Sequence, residues 1–527
     1  MPASLTYPGV YVDELPSAVR TITGVPTSIA AFVGTAPKGP TDRPVHLTSW
    51  ADYERSFGGL AASSPLSYAV NHFFQNGGGE AEVVRIAADD AGPATIDLGG
   101  GVGLEAASAG SWADELLARV DYDGLTDPPV ADADQKYNLS VRDARTGVTE
   151  RYVGIEAKAG SPHALDAVLR RSALARATGD VSKRPAAQDD PSGPDAGKDP
   201  FTLPAGNGKT YHLEATAGSD GASPKVADYL GEEAAKTGLN QLLKTDIFNL
   251  LCVLPPSDDD PDGVVAGTLD AALELCVDRR ALLVVDPPGG WSDVQSAVDD
   301  AMAGKPVSGD SARNAAVFFP RVNMPDPLAG GATKAFRPSG AVAGLMARTD
   351  AQRGVWKAPA GTDASLNGAR GPDVPMTDLE NGRLNPLGVN CIRQFPIVGT
   401  VNWGARTARG ADVLADQWKY VPVRRLALFI EESLFRGTKW VVFEPNDEPL
   451  WASVRLNVGA FMNSLFRQGA FQGRTPREAY LVKCDKENNP QNDIDRGILN
   501  ILVGFAPLKP AEFVLIHIQQ LNPAPLV

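Results

Sequence analysis

The runs FNLLCVLPP (248–256), ALLVVDPP (281–288) and AAVFFPRV (315–322) decide the fold. Each is a short apolar run broken by proline, the pattern of a strand buried in a sheet interior rather than of a surface helix. Helical spans lie between them over residues 225–345. Strands alternating with helices predict a mainly parallel sheet flanked by helices.

Upstream, residues 28–86 read as a compact α/β unit. It has a buried strand at IAAFVG (29–34), a proline-glycine loop at APKGPTDRP (36–44), helical signals at SWADYERSF (49–57) and SPLSYAVNHFFQNGG (64–78), and a strand at EVVRI (82–86). Before it, Val10, Tyr11, Val12 and Asp13 alternate between Pro8-Gly9 and Pro16, and read as one strand on an extended arm, residues 1–25. Between the two α/β segments, residues 91–224 change character. Strand-like pieces are separated by clusters such as AQDDPSGPDAGKDP (187–200), which hold too little apolar surface to be core and belong on the loops of an inserted β-rich domain.

A loop-rich passage near 350–385 precedes a strongly helical region. In RRLALFIEESLFRG (424–437), Leu426, Phe429, Ile430, Ser433 and Leu434 share one side, with Glu431 and Glu432 expected opposite. In LWASVRLNVGAFMNSLFRQGAF (450–471), Trp451, Val454, Val458, Phe461, Met462 and Leu465 recur at helical spacing, most simply as core. The β-prone run EFVLIHIQQL (512–521) follows Pro510 and ends at Pro523.

The expected fold is therefore a multidomain α/β protein of mixed α+β character. Its parts are an N-terminal arm (1–25), an α/β domain (26–90 with 225–365), an inserted outer domain (91–224), an inner α/β domain (366–510) and a C-terminal arm strand (511–527). With 527 residues, several cores are expected, since single cores stop growing at about 250–300 residues.

A net charge of −15, and no long basic run, argue against nucleic acid as a partner. Cys252, Cys276, Cys391 and Cys484 are far apart and form no C-x-x-C pair, so buried thiols are expected, with neither a zinc site nor a disulfide framework. The opening segment has no basic region followed by an apolar one, and no run reaches the ~18 apolar residues that cross a bilayer. Assembly in the cytosol without membrane insertion is the expectation.

Fragments that suggest catalysis fail on context. Gly206, Asn207, Gly208, Lys209 and Thr210 resemble the end of a phosphate-binding loop, but Leu203 stands where its first glycine belongs and a strand-like TYHLEATAG (210–218) follows. Gly101, Gly103 and Ala106 fit only the loosest dinucleotide fingerprint, and a structural turn is the better reading. His46, His72, His163, His212 and His517 are isolated, and the run Asp258 to Asp262 lacks calcium-loop spacing. No catalytic residue, metal ligand or cofactor is expected.

The two ends carry more information, because both look like strands with no adjacent partner. In the C-terminal run Val514, Ile516 and Ile518 face one way and Phe513, Leu515 and His517 the other, so both faces need cover. Strand addition between copies supplies it; pairing of the two ends within one copy is the alternative.

Four N-terminal stretches, YPGVYVDELPS (7–17), ITGVPTSIAAFVGTAPKGP (22–40), SWADYERSFGG (49–59) and YAVNHFFQNGGGEAEVVRI (68–86), resemble in order and spacing the opening of contractile tail sheath proteins of phages, R-type pyocins and phage-tail-like injection systems. GSWADELLARV (110–120) is similar to a short segment of that family. So are PSGAVAGLMARTDAQRGVWKAPAG (338–361), LNPLGVNCIRQFPIVGTVNWGARTA (384–408) and YVPVRRLALFIEESLFRGTKWVVFEPNDEPLWASVR (420–455). The resemblance implies a non-enzymatic subunit that stacks as hexameric rings around an inner tube, its terminal arms woven into neighbouring subunits and serving as hinges in contraction. It also implies baseplate and terminator or cap proteins as partners. The 448–470 helix is the expected tube contact, through Arg455 and Arg467. A nucleotide-binding enzyme, resting on Lys209 or the Gly101 turn, and a non-contractile shell protein are the alternatives.

Overall fold

The computed structural model describes residues 20–125, 135–206, 208–258, 260 and 263–516. Of the expected arm strands, Val10, Tyr11, Val12, Asp13, His517 and Ile518 lie outside the described residues.

An eight-stranded sheet forms the centre, in the order Gly399–Asn402, Val389–Phe395, Ala315–Phe319, Leu282–Val285, Leu250–Val253, Ala30–Gly34, Ala81–Arg85, Val45–Leu47. Its six inner strands run parallel and its two edge strands antiparallel. Successive side chains of each inner strand point to opposite faces. Phe32, Cys252, Val284 and Phe318 enter one core, while Val33, Leu251, Val285 and Phe319 enter the other. Because helices cover both faces, neither face tolerates polar alternation, which is why the sequence runs are continuously apolar.

Helices Pro65–Gln75 and Ser339–Arg353 cover the first face. They approach so closely that a Cβ on Gly340 would stand 2.1 Å from the Ala69 carbonyl oxygen, and one on Gly344 2.3 Å from that of Phe73. Helices Val264–Asp278 and Val294–Met302 cover the second face. Asp260 accepts hydrogen bonds from the Val264 and Val265 amides at the start of the helix, and Asp258 pairs with Lys334.

The insert has its own core, in which Ile96, Leu104, Trp112, Val120, Leu139 and Ile155 meet. A three-stranded sheet (Thr95–Gly99, Val102–Ala106, Ala175–Gly179) and a four-stranded one (Leu213–Glu214, Leu116–Asp121, Lys136–Asp143, Thr149–Glu156) enclose it, all strands antiparallel. Gly101, with φ of +87°, sits in the turn between the first two strands. Gly206 and Lys209 bridge across another turn, followed by a short strand and not a helix. Buried Arg85 ties insert to body, donating to the carbonyls of Ala36, Gly39 and Ala109.

Two expectations are corrected. The central sheet runs on past residue 365, because Val389–Phe395 pairs in parallel with Ala315–Phe319; the intervening loop-rich passage is an excursion from the sheet and not a domain border. Glu432 is not on a solvent face. It is 8% exposed and is held by Arg280 and Arg436, partners brought to the helix by the tertiary fold and by i,i+4 spacing.

The remaining unit comprises helices Val421–Gly437 and Glu448–Arg467 and the hairpin Tyr480–Lys483/Leu502–Phe505. Trp451, Val454, Val458, Phe461, Met462 and Leu465 form its core with Leu426 and Ile430.

Candidate assembly surface

Both ends of the described chain leave the body from this helical unit. On the N-terminal side, residues 20–27 cross the two long helices. The Arg20 amide donates to Asn457 Oδ1 (2.9 Å), and its guanidinium lies 4.6 Å over the Trp440 ring. Ile22 is buried against Gly437, where a Cβ would stand 2.6 Å from it. The Val25 amide donates to Ser433 Oγ, and Thr27 Oγ1 donates to Asp350. Bonded at both ends of the crossing, the N-terminal segment has a fixed point of departure.

The C-terminal segment has another. The Ala506 amide donates to the Ala479 carbonyl and the Gln472 amide to the Ala506 carbonyl, extending the hairpin edge. The chain is then gripped at Glu512, whose carboxylate accepts from Arg406 Nε (2.7 Å) and Nη2 (2.6 Å) and from the Tyr420 hydroxyl (3.2 Å). The Arg406 side chain is fully buried, and its Nη1 is satisfied by the carbonyls of Asn385 and Gly410 and by Asp412. Burial, and then the Glu512 charge, push the Tyr420 hydroxyl pKa up. Such a planar two-bond grip restricts the carboxylate in orientation as well as position.

Past Glu512 the support ends. Phe513, Val514, Leu515 and Ile516 are 73%, 80%, 82% and 80% exposed and belong to no strand among the described residues. Four consecutive apolar side chains in water form an exposed patch of the kind that marks an interaction site. The hairpin strands Tyr480–Lys483 and Leu502–Phe505 pair only with each other among the described residues. Leu481 and Leu502 are about half exposed on it, and apart from the Gln472 bond at Ala506 no further strand adds to either edge among the described residues.

A cleft of about 850 Å³ opens beneath the C-terminal root, walled by Trp356, Trp403, Arg393 and residues 508–513. Arg393 donates to Asp378 and lies 4.9 Å from the Phe395 ring.

Arg455 and Arg467 do not share a face. They are twelve positions apart on one helix, which turns them about 120° from each other. Arg455 is bound by Glu448 (2.6 Å) and by the Cys484 carbonyl, whereas Arg467 is exposed. Sequence reading missed the Arg406 grip. Its residues are 106 positions apart, and nothing in the local pattern of either announces the other.

Among the described residues no cluster of three or more His, Cys, Asp or Glu could hold a metal ion, and no helix is long and apolar enough to cross a membrane. All four cysteines are free and buried.

A family profile for the phage tail sheath C-terminal domain matches residues 415–520, which include the helical unit, the hairpin and Glu512. The tail sheath protein of Vibrio phage KVP40 is 27% identical over 180 residues, covering 34% of this chain and 26% of that protein, so the match spans about a quarter of its length. The tail sheath protein of Burkholderia phage BcepMu is 24% identical over 515 residues, covering 96% of this chain and 94% of that one. Among solved structures, a chain of the anti-feeding prophage baseplate superposes with a TM-score of 0.57 at 24% identity, covering 98% of this chain and 99% of that chain.

Proposed function

We propose that the chain is a member of the tail sheath protein family, a structural subunit and not an enzyme, that polymerises as stacked hexameric rings around an inner tube and contracts to drive the tube through a target envelope. The observation that carries this reading is the exposed run Phe513 to Ile516, which follows directly after the Glu512 grip, in a chain that also carries a hairpin whose two strands pair only with each other among the described residues.

Main-chain hydrogen bonds between that run and the edge of a neighbour's Tyr480–Lys483/Leu502–Phe505 hairpin give affinity, and the alternating side chains give register. The N-terminal strand Val10 to Asp13 adds to the same shared sheet, and His517 and Ile518 continue the C-terminal one. Because each arm is anchored at its root, the bending that accompanies contraction concentrates just beyond those roots while the domains turn as rigid bodies. The extended polymer is kinetically trapped, and contraction buries further surface. About 1–2 kcal/mol per subunit, one or two side-chain burials, sums to a large stroke over a long sheath.

The Glu448–Arg467 helix meets the inner tube, with Arg467 the more accessible of its two proposed contacts and Arg455 the other. Baseplate and terminator or cap proteins complete the particle, which assembles in the bacterial cytoplasm. Electron microscopy of the chain alone and with its tube protein tests the reading: striated hollow cylinders are expected from the full chain and none from a chain ending at Glu512. Cylinders from the truncated chain would overturn the woven arm.

A further inference from the structure

The loop between helices Val421–Gly437 and Glu448–Arg467 is held from behind and unsupported in front. Behind it, Trp440 packs under the Arg20 guanidinium. Asn446 accepts from Trp451 Nε1 (2.8 Å) and donates to the Ile498 carbonyl (3.0 Å), and Asp447 caps the next helix by accepting from the Leu450 amide. In front, Val442 is 63% exposed and Phe443 fully so, at 103%. Phe443 also has φ of +70°, a region that side-chain-bearing residues adopt only under strain. A loop that holds strain while presenting an aromatic ring to water has the form of a preorganised binding anchor. Exposed Glu444 and Asp447 give the apolar tip an acidic rim.

The complementary surface is on the same chain. The cleft of about 850 Å³ offers the rings of Trp356 and Trp403 and is edged by Arg353, Lys357 and Lys509. Its two carboxylates are already engaged, Asp378 by Arg393 and Glu512 by Arg406. Among the described residues those three edge cations have no ion-pair partner, so the rim carries net positive charge. Its volume, within the range of about 300–1,000 Å³ typical of ligand clefts, admits a loop tip and not merely one side chain.

We propose that the Phe443 tip of one copy docks in the Trp356–Trp403 cleft of a second copy, with Glu444 and Asp447 facing Arg353, Lys357 and Lys509. Knob and cleft are different surfaces of one chain, so the contact is heterologous and propagates as a ring or helix instead of closing as a dimer. The inference rests on the polymer reading above and adds to it a contact that involves no terminal arm.

The test uses the full chain under conditions where wild type forms cylinders. Phe443→Gly relieves the backbone strain, so the unassembled protein is expected to melt no lower than wild type while the assembled fraction falls about tenfold. Lys357→Glu with Lys509→Glu is expected to give the same loss, and adding Glu444→Lys to that cleft variant to restore much of it. Normal assembly of Phe443→Gly would overturn the proposal. So would two defective variants with no rescue, since tip and cleft would then serve different partners, the inner tube or a terminal arm. A wild-type chain that never assembles would count against the polymer reading itself, a separate outcome.

Discussion

Asp350 and Arg425 face each other in a paired, buried ion bridge, Nη1 to Oδ1 at 2.9 Å and Nη2 to Oδ2 at 2.6 Å, with side-chain exposures of 4% and 3%. Asp350 lies on the Ser339–Arg353 helix against the central sheet and Arg425 on the Val421–Gly437 helix of the helical unit. Thr27 joins both, donating its hydroxyl to Asp350 and accepting from Arg425 at its carbonyl. One bridge thus ties the N-terminal root, the sheet domain and the helical unit. Deleting one partner leaves a buried charge uncompensated, so Asp350→Ala is expected to cost about 3–5 kcal/mol in urea unfolding. The double variant Asp350→Leu with Arg425→Leu should cost less than the two single losses added together; additive losses would mean the residues act separately.

The Glu512 grip acts locally. Glu512→Gln keeps the shape but removes the charge opposite Arg406, weakening charge-assisted hydrogen bonds by about 1–2 kcal/mol. The amides at 506–512 are expected to exchange faster in deuterium-exchange mass spectrometry, while the helices Val421–Gly437 and Glu448–Arg467 keep their protection. Unchanged exchange at 506–512 would show that the hairpin alone holds the root.

Glycines on two helices should respond with opposite signs. Gly340→Ala places a methyl 2.1 Å from the Ala69 carbonyl oxygen, so helices Pro65–Gln75 and Ser339–Arg353 must separate, at a cost of about 3 kcal/mol. Gly459, inside Glu448–Arg467, has nothing within 4 Å of its would-be Cβ. Gly459→Ala should stabilise the unassembled chain by about 0.5–1 kcal/mol through helix propensity. Thermal melts of the two variants, displaced to either side of wild type, are the check.

Legibility of the fold followed the range of the interaction. The inner strands could be read because burial on both faces leaves an unbroken apolar run such as Leu250 to Leu254, and the Glu448–Arg467 core stripe because it repeats at helical spacing. Glu432 was misplaced because one partner that draws it inward, Arg280, is 152 positions away. Val389–Phe395 was assigned to the next domain because loop composition does not say whether a chain returns to its sheet. At the candidate site, the apolar run from Phe513 is plain in sequence, but its anchor on Arg406 is not. The Phe443 tip was equally hidden, since a positive φ at a non-glycine residue is imposed by tertiary context.

His72 should make the folded chain acid-sensitive. It is 4% exposed on the Pro65–Gln75 helix, its ring 5.0 Å from that of Phe336, and its Nδ1 has no hydrogen-bond partner among the described residues. Burial pushes its pKa down from 6.5 to about 4. The folded state therefore keeps the ring neutral where the unfolded chain takes up a proton, so the unfolded state binds more protons and stability falls as the pH is lowered. The stabilisation is complete above pH 6.5 and is lost progressively between 6.5 and about 4, amounting to roughly 3 kcal/mol at the lower end. His72→Gln removes this titration and leaves the carboxylates as they were. Urea unfolding at about pH 7, 5.5 and 4.5 should show wild type losing more stability than the variant, with a difference approaching about 1.4 kcal/mol per pH unit in the window. Parallel curves for the two proteins would mean that the ring finds a proton-compatible setting in the folded state and that burial does not hold it neutral.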